Sequence, residues 1–254
     1  MTVGLVGSGN MGAALARGWG EPLLCADALP GRAEALAAEL GGEAIANEEL
    51  ARRADVVVLA HKPAQLETAA AELRPGLEGR DGVCVVSLLA RTTLQQVRDA
   101  YPGVQAFRVQ PNLPAALRQG VTVFAAPEPG DDERLAERVR ELFARVGAIV
   151  TVPDALVDVA GGCSGVGPAY WALMLEAQID AAVRHGLTPA DASVLIGETM
   201  AGAAALLRDG DWDTLALRRR VTSPGGTTAR GLAALERGGV RAAFAAAMDD
   251  VVGA

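Results

Sequence analysis

The stretch that decides the fold is "GLVGSGNMGAALARG", residues 4–18. It contains a short apolar run, then glycines in GxGxxG spacing, then a helix-like pattern. Gly7 permits a tight turn, Gly9 lets the backbone approach a pyrophosphate, and Gly12 lets the helix pack closely on the strand. The anion would lie at the helix N-terminus, where unpaired N–H groups and the helix dipole favour negative charge. The stretch therefore predicts a dinucleotide-binding unit.

Strand-like runs such as "DVVVLAH" (55–61) and "VCVVSLL" (83–89) alternate with helical patterns up to residue 152. This alternation predicts a mostly parallel sheet wound on both faces. Beyond Pro153 only helical patterns follow, the longest at 167–186 and 189–210. Both are apolar over more than one face, which predicts that a second subunit covers them. The predicted fold class is α/β: a Rossmann-like doubly wound sheet (1–152) followed by an all-α substrate and dimerisation domain (153–254).

Composition excludes several classes of function. A net charge of -8 and an aromatic content of 4% argue against a nucleic-acid partner. No apolar run of membrane-spanning length and no basic leader are apparent, so we expect a soluble, cytoplasmic protein without a membrane partner. The cysteines, Cys25, Cys84 and Cys163, are far apart. They indicate neither a disulfide framework nor a metal site, and we expect them to be small buried residues.

Asp27 lies twenty residues after Gly7, at the end of the second strand-like run. A carboxylate here can bind the adenosine ribose hydroxyls of NAD, and it would face the extra phosphate of NADP. Two like charges about 4 Å apart repel by roughly 1 to 4 kcal/mol, depending on the local dielectric. Asp27 therefore favours NADH. Arg32 is close enough in sequence to offset the repulsion, so NADPH remains open.

The scarcity of catalytic side chains restricts the chemistry. Lys62 is the only lysine, and His61 and His185 are the only histidines. Reduction of a carbonyl commonly needs a side-chain acid, and the helical half offers only His185, just before a glycine. An iminium substrate already carries its proton, so it needs only placement. We therefore predict an imino-acid substrate and no obligatory catalytic side chain.

Two glycine loops, "CSGVGPAY" (163–170) and "VTSPGGTT" (221–228), each precede a helical pattern. Helix N-termini with flexible glycines can present converging N–H groups to an anion without any cation. We interpret these loops as holding the carboxylate of the substrate.

The chain resembles the pyrroline-5-carboxylate reductase family over essentially its full length. Besides the first of these loops, the segments that carry the resemblance include "FRVQPNLPAALRQGVTVFA" (107–125) and "VTSPGGTTARGLAALERGGVRAA" (221–243), which extends the second loop. The resemblance implies reduction of 1-pyrroline-5-carboxylate to L-proline. It also implies NADPH or NADH as hydride donor and a homo-oligomer, at least a dimer, built through the C-terminal helices.

The resemblance also implies site residues by position. Those for the cofactor are the pyrophosphate loop, a ribose contact and the segment beside the nicotinamide ribose: Gly7, Ser8, Gly9, Asn10, Met11, Gly12, Asn47, Ala60, His61, Lys62 and Pro63, with Asp27 added from its spacing. Those for the substrate carboxylate and its loop are Ser164, Gly165, Ser223, Gly225, Gly226, Thr227 and Thr228.

Four positions depart from the family pattern. His61 stands where the family usually has valine, Arg91 where it has glycine, Gln110 where it has methionine, and Val166 where it has serine. Two alternatives therefore stay open: a reductase of another cyclic imino acid, and a non-catalytic nucleotide-binding homologue. A β-hydroxy-acid dehydrogenase is disfavoured because it should carry a lysine in the helical half.

Overall fold

The glycine-rich stretch begins a parallel sheet in the computed structural model, which describes residues 1–253. Strand β1 (Val3–Val6) is fully buried and runs through the turn into helix α1 (Asn10–Trp19). The helix buries its alanines and Trp19 and ends at Gly20 in the left-handed conformation, which a glycine adopts without strain. The predicted strand–turn–helix unit is confirmed.

The remaining strands are β2 (Leu24–Ala26), β3 (Glu43–Ala44), β4 (Val56–Leu59), β5 (Cys84–Ser87), β6 (Gln105–Gln110), β7 (Gly120–Ala125) and β8 (Gly147–Val152). The helices that follow α1 are α2 (Arg32–Leu40), α3 (Asn47–Arg53), α4 (Leu66–Leu77), α5 (Leu94–Ala100), α6 (Glu133–Ala144), α7 (Val157–Ser164), α8 (Gly167–Arg184), α9 (Pro189–Asp209), α10 (Thr214–Arg220), α11 (Thr227–Arg237) and α12 (Val240–Val252).

The sheet has the strand order β3-β2-β1-β4-β5-β6-β7-β8. All neighbours are parallel except β6 and β7, which confirms the mostly parallel sheet. The two-residue strand β3 is the one that the apolar pattern misses, because one of its residues is exposed. The chain winds outward in both directions from the β1/β4 pair. In such sheets ligands bind at this switch point, beyond the carboxyl ends of the strands.

Helices cover both faces of the sheet. On one face Trp19 packs edge-on against Phe143, with ring centroids 5.6 Å apart, and its indole N–H donates to the Leu142 carbonyl at 3.0 Å. On the other face Leu50 and Leu73 belong to a second buried cluster. Strand β4 is fully buried and has apolar residues on both faces, so its sequence is a continuous apolar run.

The chain divides into two compact units, Met1–Val166 and the residues from Gly167 onward. Helix α7 belongs to the first unit, where its Val157 packs with Val123 and Ala125 of the sheet. The boundary after residue 152, which the pattern predicts from the end of the last strand, stays a prediction. Cys25 and Cys84 are buried as expected, but Cys163 of α7 is exposed, which corrects the expectation for that residue.

Within residues 167–253 every regular element is a helix, as predicted. Large apolar side chains on α8 and α9 are exposed in the single chain, including Leu173 at 64% and Leu195 at 57%. By length and composition alone, α9 is also apolar enough to cross a membrane, with a mean hydropathy of 1.3 over its most apolar window. This finding corrects the expectation that no run in the chain is long and apolar enough.

Candidate active site

A groove of about 670 Å³ lies at the carboxyl ends of β1, β2 and β4, where the switch point predicts a ligand site. Its volume is typical of sites for cofactors and other small molecules. The residues that line it are Val6, Gly7, Gly9, Asn10, Met11, Asp27, Ala28, Leu29, Arg32, Asn47, Ala60, His61, Lys62, Pro63, Gln65, Thr68, Ala69, Glu72, Leu88 and Ala90.

The glycine turn shows why side chains are excluded there. A Cβ on Gly7 would lie 2.6 Å from the backbone N of His61, and Gly7 has a φ of 107°. A Cβ on Gly12 would lie 2.1 Å from the carbonyl oxygen of Gly7. In contrast, a Cβ on Gly9 would meet nothing within 4 Å. Gly7 and Gly12 are therefore required by the protein's own packing, whereas Gly9 leaves open space for a ligand.

The N-terminus of α1 borders this space. Its N-cap is Gly9, and no side chain caps the helix. The first N–H groups of a helix have no partner within the helix, and the dipole adds partial positive charge at this end. Asn10 and Met11 line the groove at this point. The uncapped helix end can therefore bind a phosphate without a cation.

Asp27 follows β2 and is fixed by backbone donors. Its Oδ2 accepts from the N–H of Ser8 at 2.6 Å, and its Oδ1 accepts from the N–H of Leu29 at 2.8 Å. Ser8 thus ties the glycine turn to the end of β2. The Asp27 carboxylate and the Arg32 side chain both line the groove, so one anion and one cation are available where the sequence places the adenosine ribose.

Asn47 and Glu72 both line the groove and contact each other. The Asn47 amide donates to Glu72 Oε2 at 2.6 Å, and its own oxygen, Oδ1, is buried without a partner among the described residues. Sequence reasoning missed Glu72 together with Gln65 and Thr68. Gln65 is the N-cap of α4, and Thr68 and Glu72 lie within the helix. The three have helical spacing, i, i+3 and i+7, so a polar face on the helix after the switch-point strand was the available signal.

His61 and Lys62 follow β4 in the short connection before α4. His61 Nδ1 lies 2.9 Å from the carbonyl oxygen of Lys62. Burial lowers the pKa of the His61 imidazole below its ordinary value, and this hydrogen bond offsets part of the shift. The imidazole is therefore neutral at pH 7, and its Nε2 is buried without a partner among residues 1–253.

An ion-pair network positions the loop after β5, whose Leu88 and Ala90 line the groove. Arg108 of β6 is 2% exposed, and its guanidinium donates to Asp154 Oδ1 at 3.1 Å and to Asp158 Oδ1 at 2.6 Å. Asp158 also accepts from the backbone N–H of Arg91 at 3.3 Å. One buried cation therefore links β6, the start of α7 and the loop at the groove.

At two of the departing positions the structure shows the backbone or the packing around the unusual side chain. Arg91 has a φ of 56°, a left-handed conformation that favours the glycine usual in the family. The Gln110 amide packs against Gly161, where a Cβ would lie 1.7 Å from Gln110 Oε1. The polar side chain at position 110 is therefore matched by a missing side chain at position 161. Nothing in the structure explains Val166.

The loop 221–228, which we call the SPGG loop, belongs to the second unit. The N–H of Gly226 donates to the carbonyl of Ser223 at 3.0 Å, and Gly225 has a φ of 69°. With Pro224 before that glycine, these are the features of a type II turn. Helix α11 then begins at Thr227, with Gly226 as N-cap and no side-chain cap. The loop thus presents a second uncapped helix end that can bind an anion.

Ser164 and Gly165 end α7 in the first unit. The Ser164 hydroxyl donates to the Ala160 carbonyl at 3.3 Å, and the Ser164 carbonyl accepts from the Asn112 amide at 3.1 Å. The structure thus places these two residues in one unit and the SPGG loop in the other. The predicted cofactor residues, in contrast, come together around one groove, with Ser8 and Gly12 shaping its turn.

The groove fits a nicotinamide dinucleotide on several independent features. It combines an uncapped helix N-terminus, a glycine with open space above it, and a fixed carboxylate at the end of β2. Buried polar atoms of Ser8, Asn47 and His61 also lack partners within the described residues, and a polar ligand could satisfy them. Fold and site together define the protein as a dinucleotide-dependent oxidoreductase.

Comparisons with known proteins identify the family. Residues 154–253 match the family model described as pyrroline-5-carboxylate reductase dimerisation, and residues 2–91 match that described as NADP oxidoreductase, coenzyme F420-dependent. The pyrroline-5-carboxylate reductase of Synechocystis sp. is 38% identical over 78% of this chain and 73% of the relative. That of Mycobacterium tuberculosis is 34% identical over 97% and 92%. This chain belongs to the pyrroline-5-carboxylate reductase family.

A solved structure supports the same assignment. The NADP-bound pyrroline carboxylate reductase of Plasmodium falciparum aligns with a TM-score of 0.86 at 26% identity, over 99% of this chain and 95% of that one. The resemblance predicted from the glycine motifs is thus confirmed. NADPH or NADH as cofactor and a dimerisation domain in the C-terminal half follow for this chain.

Proposed function

We propose that the protein reduces 1-pyrroline-5-carboxylate to L-proline, with NADPH or NADH supplying the hydride. The observation that supports this most is the groove at the β1/β4 switch point, with its open glycine and uncapped helix, in a chain of this family. The substrate is an imino acid whose iminium form already carries the proton and positive charge that make its carbon electrophilic. The protein therefore has to place the substrate and neutralise its carboxylate.

The cofactor is bound through the glycine turn and the residues around the groove. The N-terminus of α1, with Gly9, Asn10 and Met11, takes the pyrophosphate, and Gly7, Ser8 and Gly12 give the turn its shape. Asp27 and Asn47 contact the ribose on the β2 side. The segment 60–63 borders the nicotinamide ribose.

The substrate carboxylate is bound by the SPGG loop. Ser223, Gly225 and Gly226 shape the turn, and the backbone N–H groups and hydroxyls at the start of α11, with Thr227 and Thr228, donate to the carboxylate. The family resemblance also assigns Ser164 and Gly165, at the end of α7, to substrate binding. No titrating side chain is assigned to proton transfer, since the iminium nitrogen is protonated before it binds.

An absorbance assay at 340 nm tests the proposal. Purified protein is given 1-pyrroline-5-carboxylate with NADPH or NADH, and the product is identified as proline by mass. We expect turnover with at least one cofactor. Binding of the cofactor without turnover of any cyclic imine would contradict the proposal and support a non-catalytic homologue.

A reductase of another cyclic imino acid is the second candidate. It is favoured by the polar residues His61 and Gln110, which stand where the family usually has apolar ones. The same assay with a six-membered cyclic imino acid separates the two. A higher kcat/KM on the larger ring would reject the five-membered substrate as the physiological one.

The assembly is a homo-oligomer, at least a dimer, formed through the helices of the second unit, without nucleic-acid or membrane partners. The exposed apolar face of α9 is then covered by a second subunit, and the net charge of -8 disfavours nucleic acid. The enzyme acts in the cytoplasm. Cell fractionation that recovers it with membranes would contradict this assignment.

A further inference from the structure

His61 is a polar side chain that the family pattern does not explain, and its tautomer is set by the backbone. Nδ1 lies 2.9 Å from the Lys62 carbonyl oxygen, which can only accept a hydrogen bond. Nδ1 must therefore carry the hydrogen. In the neutral ring this leaves Nε2 with a lone pair and no hydrogen.

Nε2 is buried and has no hydrogen-bond partner in the described part of the chain. Buried polar atoms in native proteins are almost always paired, so an unpaired one at a ligand groove indicates a missing partner. His61 lines the groove, so a bound ligand can supply that partner. Because Nε2 is an acceptor, the partner must be a donor, which excludes an ionised phosphate.

The position of His61 selects among the donors of a dinucleotide. It follows β4, on the side of the switch point away from Asp27 and the adenosine half. It also adjoins the glycine turn, because a Cβ on Gly7 would lie 2.6 Å from the His61 backbone N. The ribose of the nicotinamide half is joined directly to the pyrophosphate, whereas the carboxamide lies one ring further away.

We propose that His61 is a positioning residue whose Nε2 accepts a hydrogen bond from a hydroxyl of the nicotinamide ribose. This contact replaces one that the family's usual valine cannot make. It orients the nicotinamide half of the cofactor without taking part in proton transfer. The inference rests on the proposed function, since it requires a dinucleotide in the groove.

Calorimetric titration with ADP, ADP-ribose and NADH tests the contact by binding alone. ADP lacks the second ribose, ADP-ribose has it without the nicotinamide, and NADH has both. In His61→Val we expect the Kd of NADH and of ADP-ribose to rise by about 3- to 10-fold, as for loss of one neutral hydrogen bond, and that of ADP to change by less than about twofold. His61→Gln, which retains an acceptor oxygen, should recover part of the loss, and His185→Gln is the matched control.

Each other result would overturn the inference. A higher Kd for NADH with an unchanged Kd for ADP-ribose would assign the contact to the carboxamide. Unchanged Kd values for all three ligands would show that the contact does not exist. Equal weakening of all three ligands would show that His61 only supports the glycine turn. If the wild-type protein bound neither NADH nor NADPH, the proposed function itself would fail.

A spectroscopic measurement checks the tautomer independently. The chain has 2 histidines, so the ¹⁵N imidazole spectrum of His185→Gln contains His61 alone. We expect the Nδ1–H tautomer at pH 7.5 and a shift of the Nε2 resonance when ADP-ribose is added. An Nε2–H tautomer would contradict the proposal.

Discussion

At the scale of single residues, the groove depends on atoms that occupy closely defined positions. Asp27 is fixed by the N–H groups of Ser8 and Leu29, so its negative charge cannot move away from the groove. An NADP phosphate placed beside the adenosine ribose would meet that charge. We therefore propose that this carboxylate and Arg32 set the cofactor preference.

Replacing Asp27 should change the cofactor preference. For Asp27→Ser we expect the ratio of kcat/KM for NADPH to that for NADH to rise about tenfold, because one charge repulsion of roughly 1 to 4 kcal/mol is removed. Asp27→Asn is the matched control, since it removes the charge but retains an oxygen that accepts from the backbone. An unaltered ratio in both variants would reject this role of Asp27.

The glycines of the turn make a paired prediction. Gly12→Ala forces a Cβ to within 2.1 Å of the Gly7 carbonyl oxygen, so we expect a loss of about 1 to 3 kcal/mol in the free energy of unfolding. Gly9→Ala meets no protein atom, so its stability should be unchanged while NADH binding weakens. Urea unfolding and calorimetry measure the two effects. Equal stability of the two variants would contradict the packing argument.

Thr228 tests the SPGG loop. Thr228→Ala should raise the KM for the imino acid about tenfold through loss of roughly 1 to 2 kcal/mol of hydrogen bonding, with the KM for the cofactor unchanged. Thr228→Ser retains the hydroxyl and should stay near wild type. Steady-state kinetics that do not differ between the two variants would remove Thr228 from the substrate site.

At the scale of elements, the contacts that hold the groove in shape join residues far apart in the sequence. Arg108 of β6 reaches Asp154 and Asp158, which are 46 and 50 residues further along the chain. Replacing Arg108 would leave Asp154 and Asp158 without the buried cation that both carboxylates contact. The loop at Arg91 depends on the same network through the Asp158 carboxylate.

Arg108→Leu should therefore destabilise the protein by about 2 to 4 kcal/mol, since it breaks a buried ion-pair network. Arg17→Ala is the control: the Arg17–Glu39 pair is exposed, with side chains 51% and 45% accessible, so its loss should leave the free energy of unfolding nearly unchanged. Urea unfolding measures both values. Similar values for the two variants would show that burial of the Arg108 ion pairs adds nothing to the free energy of unfolding.

At the scale of the whole molecule, the apolar surface of the second unit requires a partner. Helices α8 and α9 expose large apolar side chains in the single chain, and the match to the family's dimerisation model covers both. The membrane-spanning length of α9 is explained by the same requirement, because a helix that packs against a second subunit is apolar over a wide surface.

A charge on this surface should weaken the assembly. Leu195 is 57% exposed, so Leu195→Glu should cause little loss of helix content in the monomer while lowering the mass measured by light scattering from dimer or larger to monomer. Ala38→Glu, at an exposed position of α2 in the first unit, is the control and should retain the wild-type mass. Unchanged mass for Leu195→Glu would place the interface elsewhere.

The sequence by itself determined the fold class, the glycine turn and the family. These depend on local patterns: the GxGxxG spacing after β1, the alternation of strand and helix, and the proline and glycines of the SPGG loop. Each such pattern reports a conformation of neighbouring residues, so it can be read without knowing what packs against it. The strand order typical of such folds is enough to bring the predicted cofactor residues together.

Only the tertiary structure decided how distant residues are paired. The bond between Ser8 and Asp27 and the network of Arg108 depend on which strands are neighbours in the sheet. The tautomer of His61 likewise depends on where the Lys62 carbonyl points. No local pattern encodes these contacts, because each arises from the register and packing of elements far apart in the chain.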